Sequence, residues 1–148
     1  MRITAKNLGK FIVALTLWMP VVSAADERAP AGLFASAAAA FEAHDYARSA
    51  ELLEQLLLIQ PDCAQCAHQL GRAYGHMAEQ ATWSKAIGLA KKTRLALENA
   101  VDIDPSNEPA IEDLIRYYRE APGFLGGDNA KATQLEQRLR RLQGKLPS

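Results

Sequence analysis

The chain has 148 residues, which suits one domain, and its 17 basic and 17 acidic side chains balance. A nucleic-acid-binding domain is normally basic, so this balance argues against that class and against binding to an anionic membrane surface. The sequence is rich in alanine and leucine and has no long alternation of apolar and polar residues. It therefore favours helices and argues against a sheet protein.

Residues 1–24 have the pattern of a secretory signal peptide. Arg2, Lys6 and Lys10 give a positive start, residues 11–22 are almost wholly apolar, and small residues precede a predicted cut after Ala24. The alternative is an uncleaved membrane anchor, but the apolar run at residues 11–22 is shorter than the roughly 20 residues that a spanning helix needs. Cleavage leaves 14 basic and 17 acidic side chains, a net charge of −3. We therefore predict an exported protein of the bacterial periplasm, or a secreted one, with no membrane association after cleavage.

A first helical hairpin is predicted at residues 31–61, after a polar lead-in at residues 25–30. Its helices, at residues 31–43 and 46–59, are separated by a turn at His44 and Asp45, and Pro61 ends the second. The predicted buried positions are Phe34, Ala37, Ala38 and Phe41 on the first helix, and Leu52, Leu53, Leu56 and Ile59 on the second.

Two further hairpins are predicted at residues 62–105 and 106–144. In the second hairpin, Asp62 is the predicted N-cap of a helix at residues 63–78, and the partner helix ends near residue 103. In the third, Ser106 and Asn107 precede a helix at residues 108–120, and a glycine-rich loop at residues 121–128 leads to a polar last helix at residues 129–143.

One motif resembles a known family. Leu70, Gly71 and Tyr74 match the L-G-x2-Y signature in the first helix of a tetratricopeptide repeat, and Ala100 and Pro105 match its closing part. The resemblance implies an all-α fold of three stacked hairpins in a short right-handed solenoid over residues 25–148. Gly71 would let a neighbouring helix approach closely.

The repeat that carries this motif is longer than the family standard. Its closing prolines, Pro61 and Pro105, are 44 residues apart, whereas a standard repeat has about 34 residues. The extra residues fall around residues 79–92. This insertion and the glycine-rich loop are similar to those of a group of exported bacterial repeat proteins, whose biochemical activity is not agreed.

The resemblance also implies a binding groove. In this family the first helix of each hairpin lines a concave groove that holds extended peptides, and cationic groups there would grip carboxylates or carbonyl oxygens. By repeat position, the groove residues would be Gln65, His68, Arg72 and His76 from the second hairpin and Glu112, Arg116 and Arg119 from the third. The alternative is a solvated polar helix face.

Cys63 and Cys66 form a CxxC motif in the first turn of a helix. A local disulfide fits this spacing in an exported chain. Two plain thiols remain an alternative, as does a redox or metal role, although a thioredoxin-type site would follow a strand. His68 and His76 are too far apart for one metal ion, since eight residues of helix span about 12 Å.

The remaining sequence features do not decide among an interaction module, a redox protein and a self-associating subunit. Trp83, Phe124 and Leu125 either cover helix ends or form an apolar patch for a partner. The chain lacks a phosphate-binding loop, a nucleophile elbow and an HExxH motif. We predict a non-catalytic interaction or adaptor module that binds an unidentified protein or peptide, without cofactor or metal. The alternatives are a thiol-redox protein using Cys63 and Cys66, and a subunit that self-associates into a homo-oligomer.

Overall fold

The computed structural model describes residues 24–144, with side chains described from Pro30 onward. This part of the chain is all-α, as predicted, and has no strand. The helices are α1 (Ala24–Glu42), α2 (Tyr46–Ile59), α3 (Ala64–Gln80), α4 (Trp83–Ile103), α5 (Glu108–Glu120) and α6 (Asn129–Leu142). Among these helices, none is long and apolar enough to cross a bilayer. The predicted signal peptide lies outside the described residues, apart from Ala24.

The six helices pack as pairs in chain order. Helix α1 packs on α2, α3 on α4, and α5 on α6, while α2 against α3 and α4 against α5 join successive pairs. The connection of two residues between α3 and α4 is short, which favours antiparallel packing of these neighbouring helices. Three helical hairpins stacked side by side result.

Helix α1 begins earlier than the sequence indicated. The predicted lead-in at residues 25–30 is helical, and Pro30 lies inside α1 instead of before it. A proline within a helix removes one backbone hydrogen bond, and the alanine-rich sequence around it favours the helix enough to continue through. The prediction of a polar lead-in was therefore wrong.

Side-chain caps start three of the other helices. Asp45 accepts a hydrogen bond from the backbone N–H of Arg48 at 3.0 Å, Asn107 accepts one from Ala110 at 3.1 Å, and Asp128 caps α6 in the same way. The predicted cap of α3, Asp62, was wrong by one residue. Cys63 is the N-cap instead, because its Sγ lies over the first turn, 3.1 Å from the backbone nitrogen of Cys66.

The core has two parts. The first lies among α1, α2 and α3, and the second lies among α4, α5 and α6 with Ala67 of α3. The largest fully buried apolar side chains are Leu53, Leu56 and Ile111. Ile59 was predicted to be buried but is 57% exposed, because it is the last residue of α2 and no helix covers it there.

The inserted residues of the second hairpin are helical rather than a loop. Helix α4 has 21 residues and α3 has 17, and only Ala81 and Thr82 separate them. The ten extra residues are shared between two antiparallel helices, so the insertion lengthens each helix of the central hairpin by about one and a half turns at the connected end. Gly71 of α3 faces Leu97 of α4, so the close helix approach predicted at this glycine is confirmed.

The glycine-rich loop at residues 121–128 is a folded connection. It contains a single 3-10 turn at Gly123–Leu125, and the Tyr117 hydroxyl donates a hydrogen bond to the Leu125 carbonyl oxygen at 2.9 Å. The backbone N–H of Asp128 donates to the Tyr118 carbonyl oxygen at 2.9 Å. These bonds fix the direction in which α6 leaves α5.

Candidate functional site

A cleft of about 440 Å³ lies between α3 and α5, with α4 behind it. We call it the α3–α5 cleft. Leu97 and Thr93 of α4 form part of its floor, and charged or polar side chains line its walls. The polar wall residues are His68, Arg72, His76 and Glu79 on α3, and Glu112, Asp113, Arg116, Tyr117 and Glu120 on α5.

Five of the seven groove residues proposed from the sequence line this cleft: His68, Arg72, His76, Glu112 and Arg116. On α3 these residues are four apart, so they form one face of the helix. The other two, Gln65 and Arg119, are not among the lining residues.

Arg119 belongs to the contact between α5 and α6. Its Nε and Nη2 donate to one carboxylate oxygen of Glu136, at 2.8 and 2.6 Å. Three residues of helix turn the chain by about 300°, so Arg119 is displaced by about 60° around the axis from Arg116 and meets α6 instead. Gln65 is exposed near the start of α3, outside the cleft.

A side-chain hydrogen bond joins the two walls. The Nε2 atom of His68 on α3 lies 2.7 Å from Oδ2 of Asp113 on α5, and both side chains are largely buried. Arg116 donates to the other oxygen of the same carboxylate. Burial raises the pKa of Asp113, but the hydrogen bond from His68 and the charge of Arg116 outweigh it, so the net pKa lies below the ordinary value.

Aromatic residues of the first hairpin support the other end of the α3 wall. The Arg72 guanidinium carbon lies 4.8 Å from the centre of the Phe41 ring, and the His76 ring stacks on Tyr46 with centres 4.5 Å apart. His76 also lies 3.2 Å from a carboxylate oxygen of Glu79. These contacts hold both basic side chains in place beside the cleft before any ligand arrives.

The charge of the lining is mixed. Arg72 and Arg116 supply the two guanidinium groups, while four carboxylates come from Glu79, Glu112, Asp113 and Glu120. In the described part of the chain, Glu112 and Glu120 make no ion pair. Asp113 and Glu120 were not predicted from the sequence, although Glu120 lies one helical turn after Arg116 and so shares its face of α5.

Both cysteines of the chain are in one disulfide. Cys63 and Cys66 are bonded, with Cα atoms 5.2 Å apart. Cys66 is 1% exposed, whereas Cys63 is partly exposed. Neither residue lines the α3–α5 cleft. The bond closes the turn that starts α3, so its direct effect is on the helix start rather than on the cleft.

The remaining residues singled out from the sequence lie at the surface. Trp83 is 72% exposed and Phe124 is 63% exposed, while Leu125 is partly buried. Within residues 24–144 there is no cluster of three His, Cys, Asp or Glu side chains arranged to hold a metal ion.

No protein-family model matches the chain, and no curated protein matches it either. Membership of the tetratricopeptide-repeat family therefore stays a prediction that rests on Leu70, Gly71, Tyr74, Ala100 and Pro105.

Proposed function

We propose that the chain is a non-catalytic interaction module of the tetratricopeptide type, which binds an extended segment of another protein in the α3–α5 cleft. One observation carries the proposal: residues on the first helices of two successive hairpins, chosen from repeat position, line one open cavity. His68, Arg72 and His76 form one wall, and Glu112 and Arg116 form the other.

The mixed lining suits a peptide better than a simple anion. A peptide backbone offers both N–H donors and carbonyl acceptors, and an extended segment presents them on both sides. The Arg72 guanidinium is placed to donate to carbonyl oxygens, while the carboxylates of Glu112 and Glu120 accept from N–H groups or from basic side chains. We therefore expect ligands that are neutral or basic rather than acidic.

We also propose that the module acts in the bacterial periplasm or outside the cell. The signal-peptide pattern of residues 1–24 supports export. The Cys63–Cys66 disulfide supports it independently, because disulfides persist in oxidising compartments and are rare in reducing ones.

The test is peptide selection against the chain from Ala25 onward, followed by affinity measurement on two variants. The cleft variant carries Arg72→Gln and Glu112→Gln, which leaves the net charge unchanged. The control carries Arg48→Gln and Glu51→Gln, an exposed ion pair on α2 at 2.7 Å that does not line the cleft. We expect selected peptides to lose about tenfold or more in affinity for the cleft variant only.

Two results would contradict the proposal. Peptides that bind both variants as tightly as the unmodified chain would locate binding elsewhere. A failure to select any peptide, with the chain folded by circular dichroism, would remove peptide binding itself.

A further inference from the structure

A second cavity, of about 490 Å³, lies among α4, α5 and α6. We call it the α4–α6 cavity. It is on the opposite side of α5 from the α3–α5 cleft: Leu114 and Tyr118 line the cavity, whereas Glu112 and Arg116 line the cleft. Residues two apart on a helix point about 200° away from each other, so the two sites share α5 but no lining residue.

The floor of this cavity is apolar. Val101, Leu114 and Tyr118 are buried members of the second core, and all three line the cavity. Leu135 of α6 adds a partly buried side chain beside them. A ligand with an apolar body would cover this surface and remove it from water.

Three cations form the rim on α6. Lys131, Arg138 and Arg141 line the cavity at spacings of seven and three residues, which is one face of the helix. The Lys131 ammonium lies 5.3 Å from the centre of the Tyr118 ring. Within the described part of the chain, none of the three has a carboxylate within ion-pair distance.

The acidic residues of the cavity do not balance these cations. Both oxygens of Glu98 accept hydrogen bonds from Arg94 at 2.9 Å, and one also accepts from the Tyr118 hydroxyl at 2.6 Å. Its charge is thus already compensated on the side of the cavity floor. Asp102 is the remaining carboxylate in the lining. The rim therefore carries a surplus of positive charge above an apolar floor.

We propose that the α4–α6 cavity binds a small amphiphilic carboxylate, with its apolar body on the floor and its anionic head among Lys131, Arg138 and Arg141. The cavity volume is in the range of sites for small molecules, and its three cations converge from one helix. Charge-assisted hydrogen bonds from guanidinium groups favour a carboxylate over a neutral head of the same size.

The test uses anilinonaphthalene sulfonate as a fluorescent probe, with decanoate as the carboxylate competitor and decanol as its neutral counterpart. We expect saturable probe fluorescence that decanoate displaces at least about tenfold more effectively than decanol. Added salt should weaken the binding of decanoate and leave the binding of decanol nearly unchanged, because salt screens only the charged head group.

Matched variants locate the site. The cavity variant carries Lys131→Gln and Arg138→Gln, and the control carries Lys85→Gln and Lys91→Gln, two exposed cations of α4 outside the lining. Decanoate affinity should fall at least about tenfold in the cavity variant alone, with decanol affinity retained. Equal affinity of decanoate for both variants, or equal affinity of decanoate and decanol for the unmodified chain, would overturn the proposal. So would a lack of saturable probe binding by a folded chain.

Discussion

Leu97 of α4 lies directly against the backbone of Gly71 on α3. A Cβ atom at Gly71 would be 2.8 Å from both Cγ and Cδ2 of Leu97 and 3.3 Å from the Leu97 backbone nitrogen. Distances this short leave no room for a methyl group unless the Leu97 side chain or one of the helices shifts. The glycine is thus a point at which α3 and α4 approach each other closely.

The first prediction is that Gly71→Ala lowers the free energy of unfolding by about 1 kcal/mol, measured by urea denaturation. Alanine is favoured over glycine inside a helix by about 1 kcal/mol. Overpacking against Leu97 costs about 1–3 kcal/mol, and the nearby backbone nitrogen cannot turn away as a side chain can. The packing penalty therefore exceeds the gain in helix propensity.

Gly75→Ala is the matched control, because Gly75 lies one turn further along the same helix. A Cβ there would be 3.8 Å from Thr93, an ordinary contact. We expect this variant to be as stable as the unmodified chain or more stable, by up to about 1 kcal/mol. If both substitutions raise stability equally, the close approach of α3 and α4 at Gly71 is refuted.

The second prediction concerns the loop between α5 and α6. A Cβ at Gly127 would be 1.7 Å from the carbonyl oxygen of Ala121, which is backbone and cannot rotate away. Gly127→Ala should therefore open the loop and lower the thermal midpoint, with a cost of at least about 2 kcal/mol. At Gly123 nothing lies within 4 Å, so Gly123→Ala should be nearly neutral. Similar midpoints for the two variants would contradict the folded loop.

The third prediction uses the hydrogen bond between His68 and Asp113 that joins the two walls of the cleft. Asp113→Asn removes the charge that accepts from His68 and Arg116, and we expect a loss of about 1–2 kcal/mol at neutral pH. Folding lowers the pKa of Asp113 below its ordinary value of 3.8, so the ionised group stabilises the fold above that pH. The contribution is lost as the pH falls through the folded-state pKa.

The measurement is the difference in unfolding free energy between the unmodified chain and Asp113→Asn at several pH values. It should be largest near neutral pH and should shrink below about pH 4. A difference that stays constant into acid would show that Asp113 acts by shape or packing rather than by charge.

Local sequence signals predicted the helices well because each signal acts within a few residues. Asn107 caps α5 as expected, and the ranges of α2 and α5 agree with the prediction. Pro30 shows where such reasoning fails: a proline is usually read as a helix boundary, but it ends a helix only when the lost hydrogen bond outweighs the favourable sequence around it.

The cleft was predicted only in part, because its lining depends on how two hairpins meet. The spacing of His68, Arg72 and His76 defined one face of α3, and that face does line the cleft. For α5 the sequence could not indicate how the helix is rotated against α6. Arg119 therefore turned out to pair with Glu136 across the α5–α6 contact, while Asp113, which faces α3, was missed.

The last prediction separates a structural disulfide from a redox-active one. The bond between Cys63 and Cys66 closes a loop of four residues, for which the loss of chain entropy in the unfolded state amounts to about 2 kcal/mol. Reduction with dithiothreitol should lower the unfolding free energy by about this amount. The variant Cys63→Ser with Cys66→Ala should not respond to the reductant, and its serine retains a capping oxygen at the start of α3.

Thiol labelling of the reduced chain supplies the second readout. Cys66 is buried in the first core, so Cys63 should react first, at the rate of an ordinary accessible thiol. A Cys63 that reacts many times faster than glutathione would contradict the structural role. In that case the thiolate is activated at the helix start, and the redox alternative raised by the CxxC motif replaces the structural one.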